Sequence, residues 1–244
     1  MKSYTDKELD IYVYRFFKER LKQTNGFFVD VGANDGITGS NSLAFEEAGW
    51  KGLLVEANVA HKEALLKRKW KTEFVAVSDS ASVKFSAVSG ISNLHGLSRI
   101  DTSEKFYQLV KKNNGSVVEK EIPAKTLTCI LDDNNVDKNF DVLSVDVEGH
   151  ELVVLNSLDF NKYVPRVMLV EDNSKGEDSS VYKFICSKGY IRANRLGVNE
   201  IYVRNNLKNF FLIRRLKTEF TYARWATKRF VLSAIGKKAR NPFV

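Results

Sequence analysis

Cysteine is scarce in this chain. Two thiols, Cys129 and Cys186, are all that 244 residues hold, and they form no CxxC pair. That excludes a disulfide framework and leaves no metal-like cysteine spacing, so both thiols are read as core residues. The opening MKSYTDKELD is charged throughout and no apolar run follows it. No secretion leader is therefore expected, and a reducing, cytoplasmic setting is. No stretch reaches the roughly 18 uninterrupted apolar residues of a membrane span. Internal repeats, low-complexity tracts and the RRM, KH and zinc patterns of nucleic-acid readers are also missing. Acids are rare at one end only. From Asn205 onward ten Lys or Arg face the single acid Glu219, a surplus of nine in a chain of net charge +8, which leaves residues 1–204 one unit negative. The basic character belongs to an appendage, and the body is not a nucleic-acid platform.

What is present reads as one globular α/β domain. Hydrophobic residues make up 43% of the chain and aromatic residues 11%, enough for a substantial core. The organising stretch is FFVDVGANDG, residues 27–36. A buried strand, Phe27 to Val31, opens there into a glycine turn, as at the start of a doubly wound nucleotide fold. An amphipathic helix over residues 6–22 leads into it. Helix-like and strand-like segments then alternate: a helix at 40–48, a strand at 52–55, a helix at 61–69, a strand at 72–77 and a short edge strand at 83–86. Residues 87–121 form a long irregular insertion, more in keeping with a lid or binding loop than with idle linker. Strands at 140–145 and 166–170, helices at 150–158 and 178–188, and a final hairpin, 189–195 with 200–204, complete the body. That hairpin makes one strand antiparallel. The domain is expected to cover residues 1–205, with a basic, aromatic helical tail over 206–244.

The turn reads GANDG, not GxGxxG. Asn34 stands where a dinucleotide site needs its middle glycine, whereas Asn34 and Asp35 offer polar groups suited to an amino-acid carboxylate and ammonium. Gly32 is expected to let the backbone approach a ligand. Glu56 ends the second strand, 20 residues beyond Gly36, where an acid accepts hydrogen bonds from both ribose hydroxyls. Asp79 ends the third strand and is placed for an adenine amino group. Together they point to a nucleoside site, although Asp30 also reads as a buried acid tying the loop together.

These residues carry a resemblance. VDVGANDG at 29–36, LLVEAN at 53–58, AVSDS at 76–80, KTLTCILDD at 125–133, DVLSVDVEGHELVVL at 141–155 and VMLVED at 167–172 resemble the FkbM-type family of S-adenosylmethionine-dependent methyltransferases. The resemblance covers roughly residues 26–205. It implies a Rossmann-like class I methyltransferase fold with seven strands in the order 3-2-1-4-5-7-6, strand 7 antiparallel, and O-methylation, commonly of a sugar hydroxyl. The implied donor-binding set is Asp30, Gly32, Ala33, Asn34, Asp35, Gly36, Glu56, Asn58, Ser78, Asp79 and Asp146. His150 departs from the family, many members having a small residue there, and the tail has no counterpart.

A sugar hydroxyl is a poor nucleophile, so a base or a metal must loosen its proton. Asp146 ends the fourth parallel strand and is the first choice, with Glu148, His150 and Glu171 beside it. Glu148 alternatively braces the turn at Gly149, and His95 in the insertion is a lesser candidate. Asp146 with Glu171, Asp172 and Asn173 would form an all-oxygen site for Mg²⁺ or Mn²⁺, a spacing similar to the catechol O-methyltransferase type. The acceptor is expected to be a saccharide, glycolipid or lipid-linked saccharide. The tail, with Phe210, Phe211, Trp225 and Phe230 among its cations, suits an anionic membrane surface, peripheral at the inner face, or a packed helix. RNA methylation, an NAD-dependent oxidoreductase and a non-catalytic nucleoside-binding module remain open alternatives.

Overall fold

The computed structural model describes residues 1–89, 104–174 and 176–234. His95 lies outside them, as do Lys237, Lys238 and Arg240 of the tail and the side chain of Phe230. Among the described residues ten strands run β1 (Phe27–Val31), β2 (Lys51–Val55), β3 (Thr72–Glu73), β4 (Ala76–Val77), β5 (Ser82–Ser89), β6 (Ser116–Lys125), β7 (Val142–Val145), β8 (Val167–Glu171), β9 (Tyr190–Leu196) and β10 (Asn199–Arg204). The α-helices are α1 (Leu9–Arg15), α2 (Leu43–Glu47), α3 (Lys62–Leu65), α4 (Glu104–Lys112), α5 (Leu127–Asp133), α6 (Glu151–Asn156), α7 (Ser180–Ser187) and α8 (Leu212–Ala234).

Seven strands form one sheet in the order β3-β2-β1-β7-β8-β10-β9. Pairing is parallel through β8, and β10 lies antiparallel to both neighbours. This is the expected Rossmann-like class I methyltransferase order with its antiparallel seventh strand. The sheet is buried on both faces, because side chains alternate along a strand. In β1, Val29 and Val31 enter a core shared with Leu127, Leu155 and Met168. Phe28 enters the opposite core with Phe17, Phe45 and Trp50. The amphipathic start of the chain closes that second layer: Leu9, Val13, Phe16 and Phe17 are all buried.

Three segments differ from the sequence reading. The strand expected over 72–77 breaks in two. Thr72 and Glu73 extend the main sheet beside β2, whereas Ala76 and Val77 pair with β6 in a second, three-stranded sheet. The described part of the insertion is largely regular: β5 pairs antiparallel with β6 over eight residues, and α4 packs Phe106 and Val110 against Val88. Finally, Cys129 is exposed and Cys186 only half-buried, so neither is a core thiol. Cys129 lies in α5, whose buried face is taken by Leu127, Ile130 and Leu131.

The tail is part of the packed body. Leu207 and Phe211 join the second core, and Trp225 of α8 is buried. Arg192 of β9 donates to both carboxylate oxygens of Glu219 at 3.0 and 3.1 Å, and its guanidinium carbon lies 3.6 Å from the Tyr222 ring centre.

Candidate active site

The carboxyl ends of β1, β2 and β7 open into a cleft of about 590 Å³, lined among others by Gly32, Asn34, Glu56, Asn58, Val77, Phe85, Asp146, Glu148 and His150. A second hollow of about 480 Å³ shares Gly32, Asn34, Asp146 and Glu148 with it and extends to Asp30, Ala33 and the loop Thr38–Asn41. Ligands bind at this edge in open α/β sheets because the strand order reverses there and the loops diverge.

The turn after β1 is held by its neighbour strand. The N–H groups of Gly32 and Ala33 both donate to the Val55 carbonyl, at 2.9 and 3.2 Å. Gly32 has φ +88°, and a Cβ there would stand 1.8 Å from the carbonyl oxygen of Asp146. The crowding that demands glycine thus comes from the chain's own backbone rather than from a ligand, as the sequence reading had it. Gly36 has φ +75°, and its carbonyl accepts 2.6 Å from Nη1 of buried Arg68. Asp35 spends its carboxylate on the loop, accepting from the N–H groups of Ile37 and Thr38 at 2.8 and 2.7 Å and from the Thr38 hydroxyl at 2.8 Å. Neither Asp35 nor Gly36 lines the two hollows.

Glu56 is buried, and its two oxygens accept the N–H groups of Asn34 and Asn58, each at 2.7 Å. Burial pushes its acid up to about 7 against the pull of those bonds. The Ala57 N–H also bonds this carboxylate, which leaves it room for one further donor. Asp30 is buried between Ser42 and Ser144, and burial raises its acid too. Ser78 and Asp79 do not line the cleft: the Ser78 hydroxyl donates to Asp79 at 3.3 Å, and Asp79 is exposed. That wall is made by Val75, Ala76, Val77 and Phe85, from β4, β5 and the step before them.

At the other end, Asp146, Glu148 and Glu171 bring carboxylate oxygens within 4.8 Å of one another. Asp146 and Glu171 share a hydrogen bond, and both acids lie well above the ordinary carboxylate range: burial and the Glu148 charge raise Asp146 against the pull of its bond from Glu171, and burial with the charges of Asp146 and Glu148 raises Glu171. Two carboxylates this close in a low dielectric retain a proton between them. Asn173 donates to Glu171 at 2.7 Å and to Glu148 at 3.4 Å. Asp172 departs from the cation set read from the sequence. It turns away to Nη1 of Arg195 at 2.6 Å and to the Gly176 N–H at 2.7 Å, and Glu148 takes its place.

Three features of the site escaped the sequence reading. Glu151, not Glu148, braces the turn, accepting from Gly149 N–H at 2.9 Å and Val147 N–H at 3.3 Å. The spacing of the acid at the helix start was the available signal. Asn34 and Glu148 adopt left-handed backbone, φ +52° and +56°, and strain of that kind gathers at functional sites. Asn41 lines the smaller hollow with its Nδ2 on Ser144 at 3.1 Å, while its buried Oδ1 has no partner among the described residues.

Among curated proteins none matches this chain. Of solved structures, a precorrin-6y C5,15-methyltransferase from Geobacter metallireducens GS-15 is similar at 13% identity and a TM-score of 0.40, over 82% of this chain and 91% of that one. A likeness that loose carries no argument. The sequence profile described as Methyltransferase FkbM domain, by contrast, matches residues 30–192. With two-thirds of the chain inside that match, the protein belongs to the FkbM family of S-adenosylmethionine-dependent methyltransferases.

Proposed function

We infer that the protein is an O-methyltransferase acting on a hydroxyl of a sugar, in a glycan, glycolipid or lipid-linked saccharide. The observation that carries this reading is the group of three carboxylates at one end of the cleft, with Asp146 common to both hollows. A hydroxyl needs a proton acceptor beside it, and a cationic sulfonium suits an acidic surround.

The residues present fit S-adenosylmethionine. Glu56 has room left for a ribose hydroxyl, and Val75, Val77 and Phe85 offer apolar surface for adenine. Asp30 and the unpartnered Oδ1 of Asn41 suit the methionine ammonium. When bound, the donor supplies a methyl group on a sulfonium that an attacking oxygen takes. Asp146 receives the hydroxyl proton as the new O–C bond forms. Glu171, holding the shared proton toward Asp146, keeps that carboxylate oriented. Positioning of the acceptor against Glu148 and His150 supplies much of the rate.

A divalent cation on Asp146, Glu148 and Glu171 is the second reading, favoured by their mutual distance. It would lower the acceptor's pKa in place of a base. One experiment addresses both readings. The protein is incubated with methyl-labelled S-adenosylmethionine and a fractionated glycan and glycolipid extract, with and without chelator. Label in a saccharide fraction supports the proposal, and no label in any saccharide fraction, with the donor shown to bind, overturns it. Turnover that survives chelation assigns the proton to Asp146, and turnover lost with chelator and restored by Mg²⁺ or Mn²⁺ assigns it to the cation.

A further inference from the structure

Of the tail anchors suggested by sequence the fold exposes Phe210 and buries two others. Phe211 and Trp225 are buried, at 5% and 6% exposure, whereas Phe210, Leu216 and Phe220 stand out at 49%, 60% and 63%. Leu216 and Phe220 lie four residues apart on α8 and so share one stripe of the helix. Trp225 and Thr218, seven apart, form the buried stripe on the other side. Lys217, Arg224 and Lys228 are exposed and follow one another at helical spacing beside the apolar stripe. Arg224 reaches over the Phe220 ring, 5.7 Å from its centre. The only acid of α8, Glu219, is occupied by Arg192. The outer face is therefore apolar at its middle, cationic along its flank and without a compensating acid.

We propose that this face of α8 docks on an anionic membrane surface. A polyanion in water would use the cations and leave Leu216 and Phe220 wet, whereas a lipid interface takes both: cations meet headgroups and the apolar stripe enters the acyl boundary. No helix among the described residues is long and apolar enough to cross a membrane, so the contact is with the surface. Docking would also place the acid cluster near that surface. Tyr222 of α8 accepts from Nη1 of Arg195 at 2.6 Å, the same nitrogen reaches Asp172 at 2.6 Å, and Asp172 follows Glu171 directly. This last step, presentation of the cleft to a membrane-borne acceptor, rests on the methyltransferase reading; the docking does not.

The test is co-sedimentation of the full chain with vesicles of phosphatidylcholine, and with vesicles carrying about 30% phosphatidylglycerol, alongside S-adenosylmethionine titration of the same samples. Binding only to the anionic vesicles is expected. Leu216→Asp with Phe220→Asp should weaken partitioning about a hundredfold, and neutralising Lys217, Arg224 and Lys228 should do the same. Both residues of the first variant are exposed, so unchanged donor titration would show it folded. Failure to bind anionic vesicles overturns the proposal. So does binding that ignores the Asp substitutions, which would mark a charge-only grip on polyanions, or a dimer in vesicle-free solution that those substitutions break. Vesicle binding without donor binding would sink the preceding section's reading and leave this one standing.

Discussion

The carbonyl oxygen of Asp146 fills the space that a Cβ on Gly32 would need, the two positions lying 1.8 Å apart. The first turn of the fold and the end of β7 are therefore interlocked backbone to backbone, and the candidate donor-binding loop takes its place from the strand that leads to the candidate base. Gly32→Ala must either separate β1 from β7 or unwind the turn, and the positive φ adds strain. We expect a loss of about 3 kcal/mol or more in urea unfolding, together with loss of donor binding. A variant with wild-type stability would show that the two segments are less tightly joined than described.

Asp146→Asn removes the proposed proton acceptor while keeping its size. Turnover should fall by about two to four orders of magnitude, with donor affinity by calorimetry changed only a few-fold. Because the Asp146 acid is raised by burial and by Glu148, the wild-type rate should climb with pH well above the value of about 4 at which an ordinary aspartate titrates. A rising limb near that ordinary value would remove Asp146 from the role of base.

The same raised acids make stability depend on pH. Glu56, Asp146 and Glu171 all hold their protons more tightly folded than unfolded. Their contribution is fully present below the unfolded carboxylate range of about 4, and is lost as pH climbs through the folded values. Asp35 and Glu73 have lowered acids and act oppositely, losing their contribution as pH falls into the acid range. Between pH 5 and 9 the first group governs, so the melting temperature of the unliganded protein should decline steadily. Glu171→Gln, which removes one charge from the crowded pair, should flatten that decline while lowering turnover. Equal slopes for both proteins in scanning fluorimetry would count against the proton-sharing pair.

Removing residues 205–244 should not release an intact domain. Leu207, Phe211 and Trp225 are buried, and their loss costs about 5 kcal/mol in apolar burial alone. It also takes from Arg192 its Glu219 partner and leaves Glu200 as its remaining ion pair. The truncated chain is expected to be insoluble or to unfold at much lower denaturant. A soluble truncation of unchanged stability would return the tail to the status of an appendage.

The main sheet was legible because buried strands such as Phe27–Val31, apolar at four of five positions, and Val167–Glu171, apolar up to its last residue, stand out from their surroundings. Pairing partners were not legible. Nothing local in residues 72–77 says that Glu73 pairs with Val55 while Val77 pairs with Lys125, since both bonds depend on chain far away in sequence. The same holds at the site. Glu171 and Asp172 are neighbours in sequence and equally acidic, yet a strand sends successive side chains to opposite faces. One joins Asp146, and the other meets an arginine two strands over. Asp35 read as a ligand contact from its place in the glycine turn; its hydrogen bonds to Ile37 and Thr38 tie its carboxylate to that loop.

The bracing of Asp172 has a consequence for how the enzyme can be changed. Arg195 holds both its carboxylate and its carbonyl, and is itself held by Glu200 and the Tyr222 hydroxyl. The rear of the reacting wall is thus keyed to the last helix like a drawer to its runner. Refashioning the acceptor side for another alcohol would have to respect that seat, and substitutions made far out on the helix should surface as altered selectivity.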